Sequence, residues 1–310
     1  MSSDTPHLVA DEETQTAELA TGTTLSFSKQ YQVMGRLGEG GMGKVFKAFD
    51  PIMNRYVALK VLKVDVPESE QRRFRLEARL CGSFSHPNLV RVHDVGTTSE
   101  HGLFWFVMDF LEGKDLSVAT ASGRPIPLHV VCEIFREVLH GLNYVHKRGI
   151  VHRDIKPANL FVSRDPSDPS FRPVKILDFG VARDLADTRP EHPKLILGDP
   201  RYLPPEQSRP NGPIDGRSDL YALGMSFFEV VTAHHPFEDV FGQHPRELLK
   251  CQRSRVPLLP STYLPVDTPL AQAEAIDAFF VRATAKDPNE RFESARAMQV
   301  GLAALARLAH

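Results

Sequence analysis

The chain has 310 residues, of which 42% are apolar and 25% are charged, as is typical of a globular protein with room for two lobes. Its formal net charge of −2 argues against non-specific nucleic-acid binding as the main role, because such binding needs a strongly basic surface. The sequence contains no run of about eighteen apolar residues, so it predicts no membrane span.

Cys81, Cys132 and Cys251 lie among apolar neighbours, and their spacing matches no metal site. We therefore expect buried, reduced thiols, which favour a cytoplasmic location because disulfides are rare in that compartment. The N-terminal residues lack the basic and apolar regions of a signal peptide, which favours the same location.

Residues 1–28 are rich in Thr, Ser and acidic side chains and poor in aromatic ones. Such a segment buries too little apolar surface to offset the entropy of ordering, so we predict a disordered N-terminal tail. It is either a solvated leader or a regulatory tail that carries phosphorylation sites. The remainder, 29–310, is the predicted domain, with a small lobe at 29–110 and a larger lobe at 111–310.

The small lobe is expected to be β-rich, because its segments have a strand-like composition and are joined by turn residues. Five strands are predicted, at residues 31–37, 43–49, 55–61, 89–95 and 103–110. One main helix is predicted at residues 70–84, where the apolar positions recur with helical spacing.

The larger lobe is expected to be mostly helical, because the apolar periodicity changes after Glu112. Helices are predicted at residues 128–148, 218–233, 270–284 and 294–308. Gly149 is the expected C-cap of the first of these, and Ser218 is the expected N-cap of the second. The predicted fold class is therefore α+β, with a small five-stranded lobe and a mostly helical lobe.

A glycine-rich pattern, G-x-G-x-x-G, is formed by Gly38, Gly40 and Gly43 and is followed by Val45. Glycines allow a backbone to lie close over phosphate groups. A strand follows the glycines, whereas a helix would follow in a dinucleotide-binding turn, so the pattern favours a β-hairpin flap over phosphates. A merely flexible hairpin tip is the alternative.

Lys60 is predicted to lie on the third strand, on the same face as Ala58. Lys60 can bond the α- and β-phosphates of a nucleotide, and the small Ala58 leaves room for an adenine ring. Glu77, in the middle of the predicted helix, suits Lys60 as a partner because a buried lysine needs a counter-charge. The alternative for Glu77 is a surface position beside Arg73 or Arg79 at helical spacing.

The strongest motif is the run at residues 152–159, His-Arg-Asp-Ile-Lys-Pro-Ala-Asn, with Asp178-Phe179-Gly180 downstream. These side chains have the spacing that phosphoryl transfer from a magnesium nucleotide needs. Asp154 can accept the proton of an attacking hydroxyl, and Lys156 can neutralise charge on the transferred group. Asn159 and Asp178 can hold the Mg²⁺ ions.

Three further positions are predicted to be structural rather than chemical. We expect Asp219 to hold the backbone of the loop around Asp154, and Gly224 to serve helix packing. Arg291 is expected to pair with Glu206.

Together, these motifs resemble the eukaryotic-like (Hanks-type) protein Ser/Thr kinases, especially the bacterial branch, from Tyr31 to the end of the chain. The resemblance implies a two-lobed kinase fold with ATP and Mg²⁺ in the cleft, and protein substrates bearing Ser or Thr, which Lys156 after the H-R-D favours. Relatives often dimerise through the small lobe, so a homodimer is one option. The implied adenine-side contacts are Leu37, Val45, Ala58, Phe161, the gatekeeper Met108 and the hinge 109–111 with Asp109 and Leu111.

Asp199 departs from the family pattern, because a Thr that typically bonds the catalytic Asp and Lys is usual there. We expect Asp199 to pair with Lys156 and, as a second carboxylate near Asp154, to disfavour the ionisation of both, which would lower activity. Thr188 is the single hydroxyl residue between Val181 and Pro200, so activation by loop phosphorylation depends on one site or is absent.

Three functions are therefore weighed. An active protein kinase is favoured because each residue that the chemistry needs is present. A nucleotide-binding pseudokinase or scaffold is the alternative that Asp199 supports. A small-molecule phosphotransferase is the third, and the Pro204-Pro205-Glu206 segment with its partner Arg291 argues against it, since this pattern suggests a platform for protein substrates.

Overall fold

The computed structural model describes residues 24–26, 30–98, 102–163, 173–185, 197–209 and 212–309. They form two compact units. The first contains the residues up to Ser85 together with Val90–Glu112, and the second contains His86–Leu89 together with the residues from Gly113 onward. Thr188 and most of the predicted tail lie outside the described residues.

The first unit is built on an antiparallel sheet. Its elements are β1 (Thr24–Ser26), β2 (Gln30–Glu39), β3 (Gly43–Asp50), β4 (Arg55–Leu62), α1 (Glu68–Ser83), β5 (Val92–Thr97) and β6 (Phe104–Asp109). The six strands are arranged in the order β1-β2-β3-β4-β6-β5. The five predicted strands and the helix are confirmed with ends shifted by a few residues, and β1 is an additional strand inside the segment predicted as a tail.

Alternation along the strands gives this sheet two different faces. One face carries a buried apolar cluster, which comprises Tyr31, Val33, Phe46, Ala48, Val57, Leu59, Val61, Trp105 and Val107. On β4 the intervening residues Ala58 and Lys60 belong to the opposite face. The strand register puts Val45 and Phe106 beside Lys60, and Met108 beside Ala58. Candidate nucleotide-binding side chains from three strands thus share one face.

Helix α1 packs on this second face through Phe74, whose ring centroid lies 4.9 Å from that of Phe106. The start of β3 lies against the same place. A Cβ atom on Gly43 would be 2.7 Å from the Val61 carbonyl oxygen and 3.1 Å from the Phe74 ring. Packing therefore requires glycine at position 43, independently of any role near a phosphate.

The second unit is mostly helical. Its helices are α2 (Ser117–Ala121), α3 (Leu128–His146), α4 (Gly216–Thr232), α5 (Pro245–Ser254), α6 (Leu270–Ala283) and α7 (Ala295–Ala306). Its short strands are β7 (Gly113–Asp115), β8 (Ile150–Val151), β9 (Leu160–Ser163), β10 (Val174–Ile176) and β11 (Arg183–Asp184). They form a three-stranded sheet, β10-β9-β7, and a β11-β8 pair.

The four predicted helices of this unit are confirmed, whereas α2 and α5 were not predicted. The predicted C-cap Gly149 is wrong, because α3 ends at His146 and Lys147 is its C-cap; Gly149 lies two residues further on, with a left-handed backbone (φ of 72°) and its N–H donating to the His146 carbonyl. The predicted N-cap Ser218 is wrong. Helix α4 begins one turn earlier, where the Asp215 side chain accepts from the Arg217 N–H.

Helix α4 is the centre of the second unit, and its residues are buried on nearly all sides. Gly224 lets α6 approach closely, since a Cβ atom there would lie 2.7 Å from the Ala283 Cβ and 2.9 Å from the Thr284 Cγ2. The predicted packing role of Gly224 is therefore confirmed. The three cysteines, all within the described residues, are buried and not disulfide-bonded, also as predicted. Within the described ranges, each helix is too short or too polar to cross a bilayer.

Candidate active site

The predicted partnership of Lys60 and Glu77 is present in the first unit. Lys60 Nζ donates to both carboxylate oxygens of Glu77, at 2.7 and 2.8 Å, and only 4% of the Glu77 side chain is exposed. The alternative of a surface glutamate is therefore wrong. A buried ion pair with both acceptor oxygens engaged fixes the lysine side chain in one direction.

The glycine-rich turn lies between β2 and β3, where Gly38 is paired with Val45 and the Gly40 N–H donates to the Gly43 carbonyl at 2.9 Å. Added Cβ atoms on Gly38 and Gly41 would meet nothing within 4 Å. The turn thus leaves open space beside its backbone, which fits the close approach of a phosphate group.

The predicted hinge begins where β6 ends, and Asp109 is held by its neighbours on the β5 side. His93 Nε2 lies 2.7 Å from Asp109 Oδ1, and the Asp109 N–H donates to the Arg91 carbonyl at 3.1 Å. Leu111 is half-buried, whereas Leu37, on β2, is 51% exposed.

In the second unit, the loop that follows β8 is held by Asp219 on α4. The N–H groups of His152 and Arg153 donate to the two Asp219 oxygens, at 2.9 and 2.8 Å, and His146 Nε2 lies 2.7 Å from Oδ2. Burial acts to raise the pKa of Asp219, but the hydrogen bond from His146 and the nearby charges outweigh it and lower this pKa. The predicted structural role of Asp219 is confirmed.

Asp154 receives donors on both carboxylate oxygens. Lys156 Nζ lies 2.8 Å from Oδ2, Asn159 Nδ2 donates to the same oxygen at 3.1 Å, and the Asp199 N–H donates to Oδ1 at 3.0 Å. A carboxylate offers about four lone-pair directions, so three donors leave one direction for a further hydroxyl. The arrangement can therefore orient and deprotonate an attacking group.

Asn159 and Asp178, the predicted metal ligands, lie on adjacent chain segments, since the Leu177 N–H donates to the Asn159 carbonyl at 2.9 Å. Asn159 Nδ2 is directed to Asp154, so its amide oxygen is the part available to a metal. Asp178 has a left-handed backbone with a φ of 59°, and the Gly180 N–H donates to its Oδ1. Amide and carboxylate oxygens are the donors that Mg²⁺ prefers.

The next residue, Phe179, is fully buried, and its ring meets that of His152 edge to face, with centroids 4.5 Å apart. His152 Nε2 also lies 2.8 Å from the Leu177 carbonyl oxygen. These contacts tie the segment before Gly180 to the loop of Asp154. Phe161, an implied adenine-side contact, is half-buried on β9.

The expected pairing of Asp199 with Lys156 is wrong. Asp199 instead accepts from the Arg201 side chain through both oxygens, at 3.1 and 2.7 Å, and from the Arg201 N–H at 3.0 Å. Burial acts to raise the pKa of Asp199, but the bonds and charge of Arg201 outweigh it and hold this pKa below its usual range. The expectation that Asp199 is hard to ionise is therefore wrong as well.

The buried pair of Arg291 and Glu206 is confirmed. The Arg291 guanidinium donates to both Glu206 oxygens, each at 2.8 Å, and none of its side chain is exposed. The Ser218 hydroxyl donates to Glu206 Oε1 at 2.7 Å. This bidentate pair joins the segment after residue 200 to the region before α7.

Two residues of this region were not predicted from the sequence. Gln207 Nε2 donates to the carbonyls of Arg153 and Leu197, at 2.8 and 2.7 Å, and so ties the segment around residue 197 to the loop of Asp154. Arg201 neutralises Asp199. The sequence does contain a signal for Arg201, because Asp-Pro-Arg favours a turn in which the Asp side chain accepts from the second following N–H.

Comparison with known proteins agrees with the family resemblance of the sequence motifs. A family model described as "Protein kinase domain" matches residues 31–301. The serine/threonine-protein kinase PrkC of Bacillus subtilis is 32% identical over 89% of this chain, and PknB of Mycobacterium leprae is 35% identical over 89%. The PknI kinase domain of Mycobacterium tuberculosis is 28% identical, with a TM-score of 0.66 over 93% of this chain and 100% of that one.

The chain corresponds to only part of the curated relatives. It covers 40% of PrkC, 43% of the M. leprae PknB and 38% of Pkn1 of Myxococcus xanthus, to which it is 37% identical.

Proposed function

This chain belongs to the protein kinase family, and we propose that it is an ATP-dependent serine/threonine protein kinase. The observation that carries the proposal is the constellation around Asp154. Its carboxylate is oriented by Lys156, Asn159 and the Asp199 N–H, with one acceptor direction left for a substrate hydroxyl.

In this mechanism Asp154 orients the hydroxyl of a protein Ser or Thr and takes its proton as the γ-phosphoryl group is transferred. Lys156, held beside Asp154, steadies negative charge on the transferred group. Lys60, directed by Glu77, positions the nucleotide phosphates. The turn of Gly38, Gly40 and Gly43 covers the phosphates.

Asn159 and Asp178 would hold Mg²⁺, and bound Mg²⁺ neutralises charge on the phosphate oxygens of ATP. On the adenine side, the proposed contacts are those that the resemblance implies. They are Leu37, Val45, Ala58, Met108, Asp109, Leu111 and Phe161.

The pseudokinase alternative loses its main support. It depended on Asp199 as an uncompensated carboxylate beside Asp154, whereas Arg201 pairs with Asp199 through both oxygens. The acceptor assignment to Ser and Thr is supported by Lys156 and by the relatives PrkC and PknB, which are serine/threonine-protein kinases.

The proposed kinase domain spans 29–310, with lobes at 29–110 and 111–310; the segment 1–28 is proposed as a tail except for Thr24–Ser26, which pairs with β2 as β1. A cytoplasmic location is proposed because buried cysteines without disulfides suit a reducing compartment. A homodimer stays a prediction that light scattering after gel filtration can check.

The test is incubation with Mg-ATP and a generic protein substrate, followed by mass spectrometry of phosphoserine and phosphothreonine. Asp154→Asn should lower the rate by about 10²–10⁴-fold, as removal of a general base does. The matched control is Asp239→Asn, whose carboxylate is 52% exposed and pairs only at the surface, so it should leave the rate unchanged. Equal rates for wild type and Asp154→Asn would contradict the proposal.

A further inference from the structure

A line of buried polar groups lies behind the segment 199–201, inside the second unit. Tyr221 on α4 and Gln252 on α5 are both fully buried. The Tyr221 hydroxyl donates to Gln252 Oε1 at 2.6 Å and accepts from Lys286 Nζ at 3.0 Å. Buried polar groups are costly unless they are paired, and these bonds pair the Tyr221 hydroxyl and the Gln252 amide oxygen.

Gln252 uses its amide nitrogen on the segment itself. Nε2 donates to the carbonyl oxygens of Pro200 and Arg201, at 3.2 and 2.5 Å. Both partners are acceptors only, and the Tyr221 hydroxyl faces the other side of the amide. The opposite amide orientation would turn an oxygen toward two carbonyl oxygens, so the environment allows one orientation.

The same segment meets the candidate catalytic base at its other end. The Asp199 N–H donates to Asp154 Oδ1 at 3.0 Å, immediately before the carbonyl that Gln252 holds. Pro200 restricts the backbone between these two bonds, because its ring fixes φ. His235 Nε2, at 3.0 Å from the Arg201 carbonyl, is a second anchor, but it bonds one carbonyl where Gln252 bonds two.

We propose that Gln252 is a positioning residue for Asp154, acting with Tyr221 and Lys286 through the segment 199–201 to set the place of the Asp199 N–H. The assignment rests on the proposed kinase function. Its physical basis is a chain of hydrogen bonds from the ammonium of Lys286 through Tyr221 and Gln252 to the Pro200 carbonyl, and the covalent backbone connects Pro200 to the Asp199 N–H that bonds Asp154. The cation at the donor end polarises and strengthens the hydrogen bonds as far as Pro200, which stiffens the segment there.

The experiment compares kcat, the KM for ATP and the thermal unfolding midpoint in three variants. Gln252→Leu removes all hydrogen bonds of the amide. Gln252→Glu keeps an acceptor for the Tyr221 hydroxyl but places a carboxylate oxygen, which repels them, against the carbonyl oxygens of Pro200 and Arg201. Tyr221→Phe removes the hydroxyl alone and keeps the ring against which Arg291 stacks at 4.8 Å. The control is Ser226→Ala, because that buried hydroxyl on α4 donates only to the Ala222 carbonyl.

We expect both Gln252 variants to lower kcat by about 10–100-fold with an unchanged KM for ATP, the effect of a small misplacement of a catalytic group. Gln252→Glu should be the worse of the two, Tyr221→Phe should lose a few-fold, and Ser226→Ala should keep the wild-type kcat. A wild-type kcat in Gln252→Leu would overturn the proposal. So would a loss of kcat that is proportional to the loss of thermal unfolding midpoint in all four variants, because it would reflect stability alone.

A readout without catalysis separates this inference from the proposed function. Hydrogen exchange of the Asp199 amide, followed by mass spectrometry, should be faster in Gln252→Leu than in wild type and unchanged in Ser226→Ala. If the wild type transfers no phosphate, the proposed function fails, while faster exchange at Asp199 still supports the positioning role. Unchanged exchange in Gln252→Leu would overturn that role.

Discussion

The main-chain N–H of Asp199 bonds Asp154 Oδ1 at 3.0 Å, while the Asp199 side chain turns away to Arg201. The backbone of residue 199 therefore orients the candidate base Asp154. In the family pattern, a Thr side chain at this position is expected to bond that base. The identity of residue 199 then matters less than the placement of its amide.

We predict that Asp199→Thr keeps the wild-type turnover within a few-fold, since the substitution preserves the N–H and frees only a partly exposed arginine. Steady-state kinetics with saturating Mg-ATP checks this. A large gain in turnover would restore the inhibitory role for Asp199.

Arg201→Ala should raise the pKa of Asp199, because the bonds and charge of Arg201 hold that pKa down. Carboxyl NMR measures this pKa in the variant and in wild type.

Lys60→Met should abolish most of the activity, and it should also destabilise the protein. Glu77 is buried, so removing the lysine takes away the cation that both carboxylate oxygens bond, at a cost of about 3–5 kcal/mol. Urea denaturation of Lys60→Met and of the double variant Lys60→Met/Glu77→Gln measures this. The double variant should regain stability but not activity, whereas equal stability of the two would contradict the buried-charge argument.

Asp219→Asn should loosen the loop of Asp154. An Asn side chain has one acceptor oxygen where three donors now converge, so at least one donor loses its partner, at about 1–3 kcal/mol each. We expect a lower urea midpoint together with a lower kcat. Asp277→Asn is the matched control, since that carboxylate accepts from the Ser261 N–H at an exposed site, and it should change neither quantity appreciably.

His235 should make the protein sensitive to acid. Its Nδ1 accepts from the Phe237 N–H and its Nε2 faces the Arg201 carbonyl, which describes a neutral ring with the proton on Nε2. Burial is the main cause that lowers the pKa of His235 to about 4, against an ordinary value of 6.5.

The sign of the effect follows from proton binding. Below pH 6.5 the unfolded chain binds a proton at this ring and the folded chain does not until about pH 4, so stability falls across that interval. The loss is on the order of 3 kcal/mol. Urea midpoints at several pH values should fall less steeply in His235→Gln than in wild type, and the exposed His129→Gln should retain the wild-type slope.

Several long-range pairs were predictable because chemistry leaves each residue few roles. A lysine on a strand that faces a nucleotide needs a buried acid, which identified Glu77 seventeen residues later. The pairing of Arg291 with Glu206 was expected as well, and the structure supplies its physical reason, because both side chains are buried and each charge needs the other.

Other features depend on geometry that the sequence does not display. Asp199 could pair with Lys156 or with Arg201. The turn at Pro200 brings Arg201 to the Asp199 carboxylate, and the sequence alone did not show this. Helix α5 has only ten residues, few of them apolar, so it was not predicted although its buried residues Cys251 and Gln252 lie together. The burial of Gln252 on that helix follows only from tertiary contacts, namely those with Tyr221 and with the carbonyls of Pro200 and Arg201. Strand β1 consists of Thr, Leu and Ser, and it is recognised only by its pairing with β2.

The bonds from Asp219 to the amides of His152 and Arg153 join positions 67 and 66 residues apart. The loop that carries Asp154 therefore cannot take its final shape until α4 has formed and docked, and closing such a long segment is slow compared with forming local structure. During synthesis the loop leaves the ribosome well before the helix that holds it. Catalytic competence should thus be one of the last properties that this chain acquires as it folds, later than the sheet of the first unit.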